Sequence, residues 1–274
     1  MKLYMSVDME GITGLPDYTF VNPQFHNYER ARRIMTQEAN HVIETAFNNG
    51  CDYFLVNDSH SKMNNLLVDE LYEEAELITG GVKRYSMVES LDDSYQGAIF
   101  LGYHARAGQP GVMSHSMTFG VRNFYVNDTA VGELGLNAYV AGYYDVPVIL
   151  VGGDDCASHE AEQLIPNVVT APVKYSITRQ AVKSLTPKKS GELLREKTIE
   201  AINLLNRIDP LTPPKQPTFR IEFNNYGQAE WAAIMPGTEI EPNSCIVKFE
   251  AKDILEAYRA MVVMTELAMN STFN

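Results

Sequence analysis

The sequence predicts an α/β protein: a mainly parallel sheet flanked by helices, followed by a smaller α+β unit at the C-terminal end. Three observations predict it. Short, continuously apolar runs of strand length recur and end in polar residues, the pattern of parallel strands covered on both faces. Segments with apolar residues at three- and four-residue steps lie between them. A proline-rich connector then sets off a last stretch with its own strands and helix.

The elements follow in order. Residues 3–7 form an apolar strand that ends at Asp8-Met9-Glu10-Gly11. Residues 28–49 carry Ala31, Ile34, Met35, Val42, Ile43, Ala46 and Phe47 at helical spacing, and Gly50 is placed to stop that helix. Residues 53–56 are a second buried strand, ending at Asn57-Asp58-Ser59-His60, and residues 98–102 a third, ending at Tyr103-His104. Residues 124–126 and 130–131, on either side of Asn127-Asp128, read as a β-hairpin. A helix over 133–144 follows, then a strand over 146–151 ending at Gly152-Gly153-Asp154-Asp155, and helices over 158–165 and 188–207. Pro210, Pro213, Pro214 and Pro217 stiffen the connector, which divides a catalytic domain (1–209) from a small α+β domain (210–274). The latter holds strands over 219–223 and 246–249 and a helix over 254–269.

With 274 residues, 45% hydrophobic and 21% charged, the chain has the composition of a soluble globular protein large enough for a substantial core. A net charge of −13 with no lysine–arginine cluster argues against nucleic acid as a partner. No apolar run is long enough to span a bilayer, and Asp8 interrupts the apolar start, so neither a membrane span nor a signal peptide is expected. The three cysteines, Cys51, Cys156 and Cys245, are odd in number and widely spaced, which fits a reducing cytoplasm rather than a disulfide framework.

The chemistry gathers where the strands end. The first strand delivers Asp8 and Glu10, the second Asp58 and His60, the third His104. Residues two apart on a strand face one side, so Asp8 and Glu10 are expected to share a space. Ligands of open parallel sheets bind beyond the carboxyl ends of the strands, where distant strands meet. Adjacent carboxylates need a counter-charge, and a mixed imidazole–carboxylate set suits zinc, manganese, iron or cobalt. The competing reading of each strand-end aspartate is a turn former or helix cap. It fits Asp58 within Asn57-Asp58-Ser59 and also Asp154 and Asp155. His26, His41 and His159 read as solvated or structural, whereas His115, in the small-residue loop Gly111-Val112-Met113-Ser114-His115-Ser116-Met117, is a candidate acid, base or ligand. Glu133 opens a helix, where a carboxylate is favoured by the dipole whether or not it binds metal.

These stretches resemble the zinc-dependent D-aminopeptidases of bacterial dipeptide-utilisation systems. The resemblance is carried by Ser6-Val7-Asp8-Met9-Glu10-Gly11, Asn57-Asp58-Ser59-His60, Gly102-Tyr103-His104-Ala105, Met113-Ser114-His115-Ser116 and Gly132-Glu133-Leu134-Gly135. Asn224-Asn225-Tyr226-Gly227-Gln228-Ala229-Glu230 and Pro236-Gly237-Thr238 extend it nearly to the end of the chain. The resemblance implies two zinc ions per subunit, with Asp8 bridging them, Glu10 and His60 completing one set and His104 and Glu133 the other. It implies His115 as the catalytic residue and N-terminal D-amino acids of short peptides, such as D-alanyl-D-alanine, as the groups released. It also implies a homodecamer of two stacked pentameric rings with the active sites facing an internal cavity.

The expected reaction is attack of metal-bound hydroxide on the amide, the pKa of water falling from 15.7 towards about 7 on the metals. His115 then protonates the leaving amine or stabilises the oxyanion. Two other functions use the same ligands: a two-metal phosphoesterase, and a non-catalytic metal-binding oligomer. Structural zinc sites are usually closed by four protein ligands, which three per ion would not do.

Overall fold

A computed structural model describes residues 1–271. In chain order its elements are β1 (Lys2–Val7), α1 (Tyr28–Asn48), β2 (Tyr53–Asp58), β3 (Glu76–Ile78), β4 (Gly97–Tyr103), β5 (Val121–Val126), β6 (Thr129–Val131), α2 (Glu133–Tyr143) and β7 (Val148–Asp154). They continue with α3 (Asp155–Leu164), β8 (Val169–Thr178), β9 (Ala181–Ser184), α4 (Pro187–Leu204), β10 (Thr218–Phe223), α5 (Tyr226–Ala232), β11 (Thr238–Ile240), β12 (Ile246–Glu250) and α6 (Ile254–Ala268).

Two sheets result. The larger has the order β3-β2-β1-β4-β7-β8-β9 and is parallel except for β9, which runs antiparallel to β8. Every residue of β4 and β7 is buried, as the continuous apolar runs require of strands covered on both faces. The smaller sheet is antiparallel, in the order β11-β12-β10-β5-β6, and α5 and α6 pack against it. The division at 209/210 cuts through this second sheet, because β10 pairs with β5 from far upstream. The hairpin of β5 and β6 covers one edge of β10 with a ladder that the C-terminal segment alone does not supply.

The helices start and stop where local chemistry dictates. Gly50, at φ +91°, follows α1, and the N–H of Cys51 donates back to the Ala46 carbonyl at 3.0 Å. Asp154 caps α3 by accepting from the Ala157 N–H (2.7 Å), and Asp253 caps α6 by accepting from that of Glu256 (2.8 Å). Pro187 opens α4, where its missing N–H leaves no bond unmade. β3, β8, β9, α5 and β11 go beyond the elements expected from the sequence. β8 is the instructive one. Pro172 sits within it opposite Gly153 of β7, and a proline inside an apolar stretch argues against a strand before the pairing is known.

The chain leaves β1 for β2 and β3 on one side and returns to β4 on the other, so the gap between β1 and β4 is a topological switch point. The backbones approach closely there. Gly102 has φ +73°, and a Cβ on it would run into the Asp8 carbonyl; one on Gly11 would meet the Tyr103 carbonyl. Both glycines allow the ends of β1 and β4 to touch. Gly102→Ala is therefore expected to cost about 1–3 kcal/mol, from overpacking and the unfavourable φ together. It would be read as a lower urea midpoint at unchanged slope.

Candidate metal centre

The switch point gathers five buried ionisable side chains: Asp8, Glu10, His60, His104 and Glu133. Asp8 lies one residue past β1, and its N–H still donates to Leu101 of β4 (2.8 Å). Glu10 does not continue the strand, so alternation is not what brings it beside Asp8. The chain turns at Met9, with the Ile12 N–H donating to the Met9 carbonyl (3.1 Å) and the Gly11 N–H to the Gly102 carbonyl (2.7 Å). The wholly buried ammonium of Lys174 donates to the carbonyls of Glu10 and Leu15 and pins this turn from below. Sequence reasoning missed Lys174, because a lysine in a stretch not recognised as strand carries no sign of burial.

His60 lies in the turn after β2. Asp58 faces the turn rather than the cluster. It accepts from the N–H groups of Asn65 and Leu66, and Asn65 also donates to the His60 carbonyl (2.7 Å). Asp58 is thus the turn former. His104 follows β4, Glu133 is the first residue of α2, and His115 hangs in the loop between β4 and β5. His41 and His159 sit on helices, bonded to Arg195 and Gln163. Asp154 and Asp155 cap α3 and accept from the Ser176 N–H, respectively.

Asp8 is the centre of the geometry. Its Oδ1 is 3.2 Å from His60 Nδ1, and its Oδ2 is 3.4 Å from His104 Nε2. Glu10 Oε2 lies 2.9 Å from His60 Nδ1, and Glu133 Oε2 lies 3.5 Å from His104 Nε2. Each oxygen of one carboxylate therefore looks into its own nest of one imidazole and one further carboxylate.

Backbone carbonyls set the histidine tautomers. A carbonyl can only accept, so the nitrogen facing it carries hydrogen. His60 donates from Nε2 to Val21 (2.7 Å), His104 from Nδ1 to Ala105 (2.9 Å) and His115 from Nδ1 to Met113 (2.9 Å). His60 Nδ1 and His104 Nε2 are left to point at carboxylates. This outer-shell arrangement orients ligating histidines in metal sites.

Without a cation the cluster is held by shared protons. Burial, and then the charge of Glu10, pushes the Asp8 carboxyl up to about 7. Burial works against the charged forms of His60 and His104. Glu10 and Asp8 around His60, and Glu133 and Asp8 around His104, outweigh it and raise both imidazoles well above the usual histidine value. Burial likewise opposes the charge on Glu10 and Glu133, but His60 and His104 respectively hold the two carboxyls below the usual range. Burial and the neighbouring His104 lower His115, so its ring stays neutral with Nε2 free.

The donor set fits divalent metal. Asp8 Oδ2, Glu10 Oε2 and His104 Nε2 are buried without a hydrogen-bond partner, and atoms of Asp8, Glu10 and His104 lie within 4.8 Å of one another, as do those of His104, His115 and Glu133. Lone pairs facing one another in a buried site call for protons or a cation between them, and this set can take either. His115 stacks on His104 with ring centroids 4.3 Å apart, and its Nε2 is 3.9 Å from Glu133 Oε1. The site opens into a cleft of about 820 Å³ lined by Asp8, Glu10, His60, His115, Glu133 and Phe119 among others, a size for small ligands.

Comparison with known proteins places the chain in one family. A family model described as D-aminopeptidase matches residues 1–263. A D-aminopeptidase of Bacillus subtilis (strain 168) is 67% identical over 273 residues, covering 100% of both chains. The solved structure of the Zn-dependent D-aminopeptidase DppA from Bacillus subtilis, described as a self-compartmentalizing protease, superposes with a TM-score of 0.99 at 66% identity and covers 100% of both chains.

Metal and proton compete here. To hold a metal, His60 and His104 would have to lose a proton, and their raised pKa values keep that proton above the pH at which an ordinary histidine gives it up. Zinc affinity is therefore expected to rise with pH through neutrality and to fall on acidification, with protons released on binding. Calorimetry in buffers of different ionisation enthalpy measures both.

Proposed function

The chain belongs to the D-aminopeptidase family, and from that premise we propose that its strand-end cleft is a binuclear zinc centre that releases N-terminal D-amino acids, such as D-alanine, from short peptides. The family membership favours this reading over a phosphoesterase or a non-catalytic metal-binding oligomer. The observation that carries it is the split of Asp8: one oxygen toward His60 and Glu10, the other toward His104 and Glu133. On this reading Asp8, Glu10 and His60 would hold one ion, and Asp8, His104 and Glu133 the other.

Bound zinc supplies a Lewis acid and lowers the pKa of water towards about 7. The protein's own groups do the rest. The cleft, about 820 Å³, has room for a short peptide. His115 presents a neutral Nε2 at the cleft wall, held in that tautomer by the Met113 carbonyl. It takes up at Nε2 the proton that the attacking water releases as the C–O bond forms, and hands it to the nitrogen of the departing amine as the C–N bond breaks. Glu133 faces that imidazole and favours its charged form while it holds the proton.

Two wider proposals accompany this one. The relative described as a self-compartmentalizing protease supports an oligomer that encloses the sites, for which we propose two stacked pentameric rings. The three unpaired cysteines support a reducing, cytoplasmic setting.

Purified protein is expected to hydrolyse D-alanyl-D-alanine and to leave L-alanyl-L-alanine untouched; equal rates on both would end the D-specific reading. His115→Ala should retain its zinc and lose turnover by about 10²–10⁴. Metal analysis should find both ions missing from Asp8→Ala, and the first set weakened selectively in His60→Ala. Full zinc retention in Asp8→Ala would remove the bridge.

A further inference from the structure

The loop that places His115 has almost no regular structure of its own. Residues 111–120 hold one isolated bridge, between Ser116 and Thr118. Met113 (φ +50°) and Met117 (φ +60°) flank His115 in the left-handed region, which non-glycine residues adopt only under restraint from outside.

The tip of the β8–β9 hairpin supplies restraint on both sides of His115. Ahead of it, the Met113 N–H donates to the Arg179 carbonyl (2.9 Å), and Arg179 Nη2 donates to the Ser114 carbonyl (3.0 Å). The Val112 N–H donates to Ser176 Oγ (2.9 Å). Beyond it, the Arg179 guanidinium lies 5.5 Å from the centroid of the Phe119 ring, which is itself 5.0 Å from the His115 ring. The Met113 carbonyl accepts from His115 Nδ1 (2.9 Å) and sets its tautomer. The peptide that orients the imidazole is thus gripped by Arg179 through the N–H of one residue and the carbonyl of the next. The guanidinium makes two of these contacts, donating through Nη2 to Ser114 and lying over the Phe119 ring, while the Met113 bond goes to the Arg179 backbone carbonyl and outlasts any side-chain substitution. Arg179 is not among the residues lining the cleft, so it acts through His115.

We propose that Arg179 is a positioning residue for the peptidase reaction, clamping residues 113–119 so that His115 Nε2 is held toward the departing amine. The role rests on the reading of His115 as the proton carrier, and it adds a fixed point on an element that contributes none of the five proposed metal-holding residues.

The test compares Arg179→Ala and Arg179→Lys in the zinc-loaded full chain, each alone and combined with His115→Ala, on D-alanyl-D-alanine. For Arg179→Ala, kcat should fall roughly tenfold or more at unchanged zinc content, since small misplacements of reacting groups have large effects. KM should stay within about twofold, because a residue outside the cleft adds no binding to the ground state. Arg179→Lys should fall between Ala and the wild type. In the His115→Ala background the same substitution should change turnover less than about twofold, since two residues acting as one unit are not additive. Hydrogen exchange of segment 111–120 should be faster in Arg179→Ala. An equal loss of kcat with and without His115, an unchanged kcat, or unchanged exchange would each overturn the proposal. If Arg179→Ala fails to fold or loses zinc, Arg179→Lys is judged by the same criteria. Should the wild type not cleave D-peptides at all, the functional reading fails, and the exchange measurement still decides whether Arg179 clamps the loop.

Discussion

A single carboxylate, that of Asp8, lies buried between two imidazoles and two further carboxylates, and the rest of the site is arranged around its charge. Burial and Glu10 push its pKa up to about 7, which marks the strain of placing like charges together away from water. The strain has two remedies. Protons can be shared with His60 and His104, or cations can sit between the facing lone pairs. The carbonyls of Val21 and Ala105 occupy the outer nitrogen of each ring and leave the inner one directed at Asp8, where it can carry a proton or face a cation. Two neutral ligating histidines and three carboxylates balance more positive charge than a pair of protons brings.

The fold can hold such a cluster because the site lies at the reversal of strand order. β1 and β4 end side by side, Gly11 and Gly102 let their backbones touch, and helix α2 delivers Glu133 by its first residue. Beneath the cluster the Tyr103 hydroxyl bonds Ser6 (2.8 Å) and Asn137 (2.8 Å), tying β1, β4 and α2 together, while Lys174 holds the Glu10 turn from β8. These contacts hold the clustered side chains in place, so a metal bound there would need little reorganisation.

Much of this was legible in the sequence, and the exceptions have physical reasons. Strands over 3–7, 53–56 and 98–102 stand out because parallel strands in the middle of a sheet are apolar on both faces, and the polar residues at their ends then point to the site. The pairing of Asp8 with Glu10 was legible, but its cause was not. It comes from a turn that starts at Met9, and turn geometry depends on Gly102 and Lys174, which are distant in sequence. Glu133 has no spacing signal, since a glutamate at a helix start is common for dipole reasons alone; only the motif around it marked it. β8 and the hairpin tip with Arg179 were hidden because Pro172 interrupts the pattern and the tip is exposed, so their part in holding the His115 loop emerges only from contacts made across the fold.

The proposed function turns on Asp8 being shared between two ions. Crystals of the zinc-loaded protein, with anomalous diffraction recorded on both sides of the zinc absorption edge, test it most directly. Two peaks about 3.5–4 Å apart are expected, with Asp8 Oδ1 on the ion beside His60 and Oδ2 on the ion beside His104. A single peak, or two peaks with both Asp8 oxygens on one ion, would contradict it.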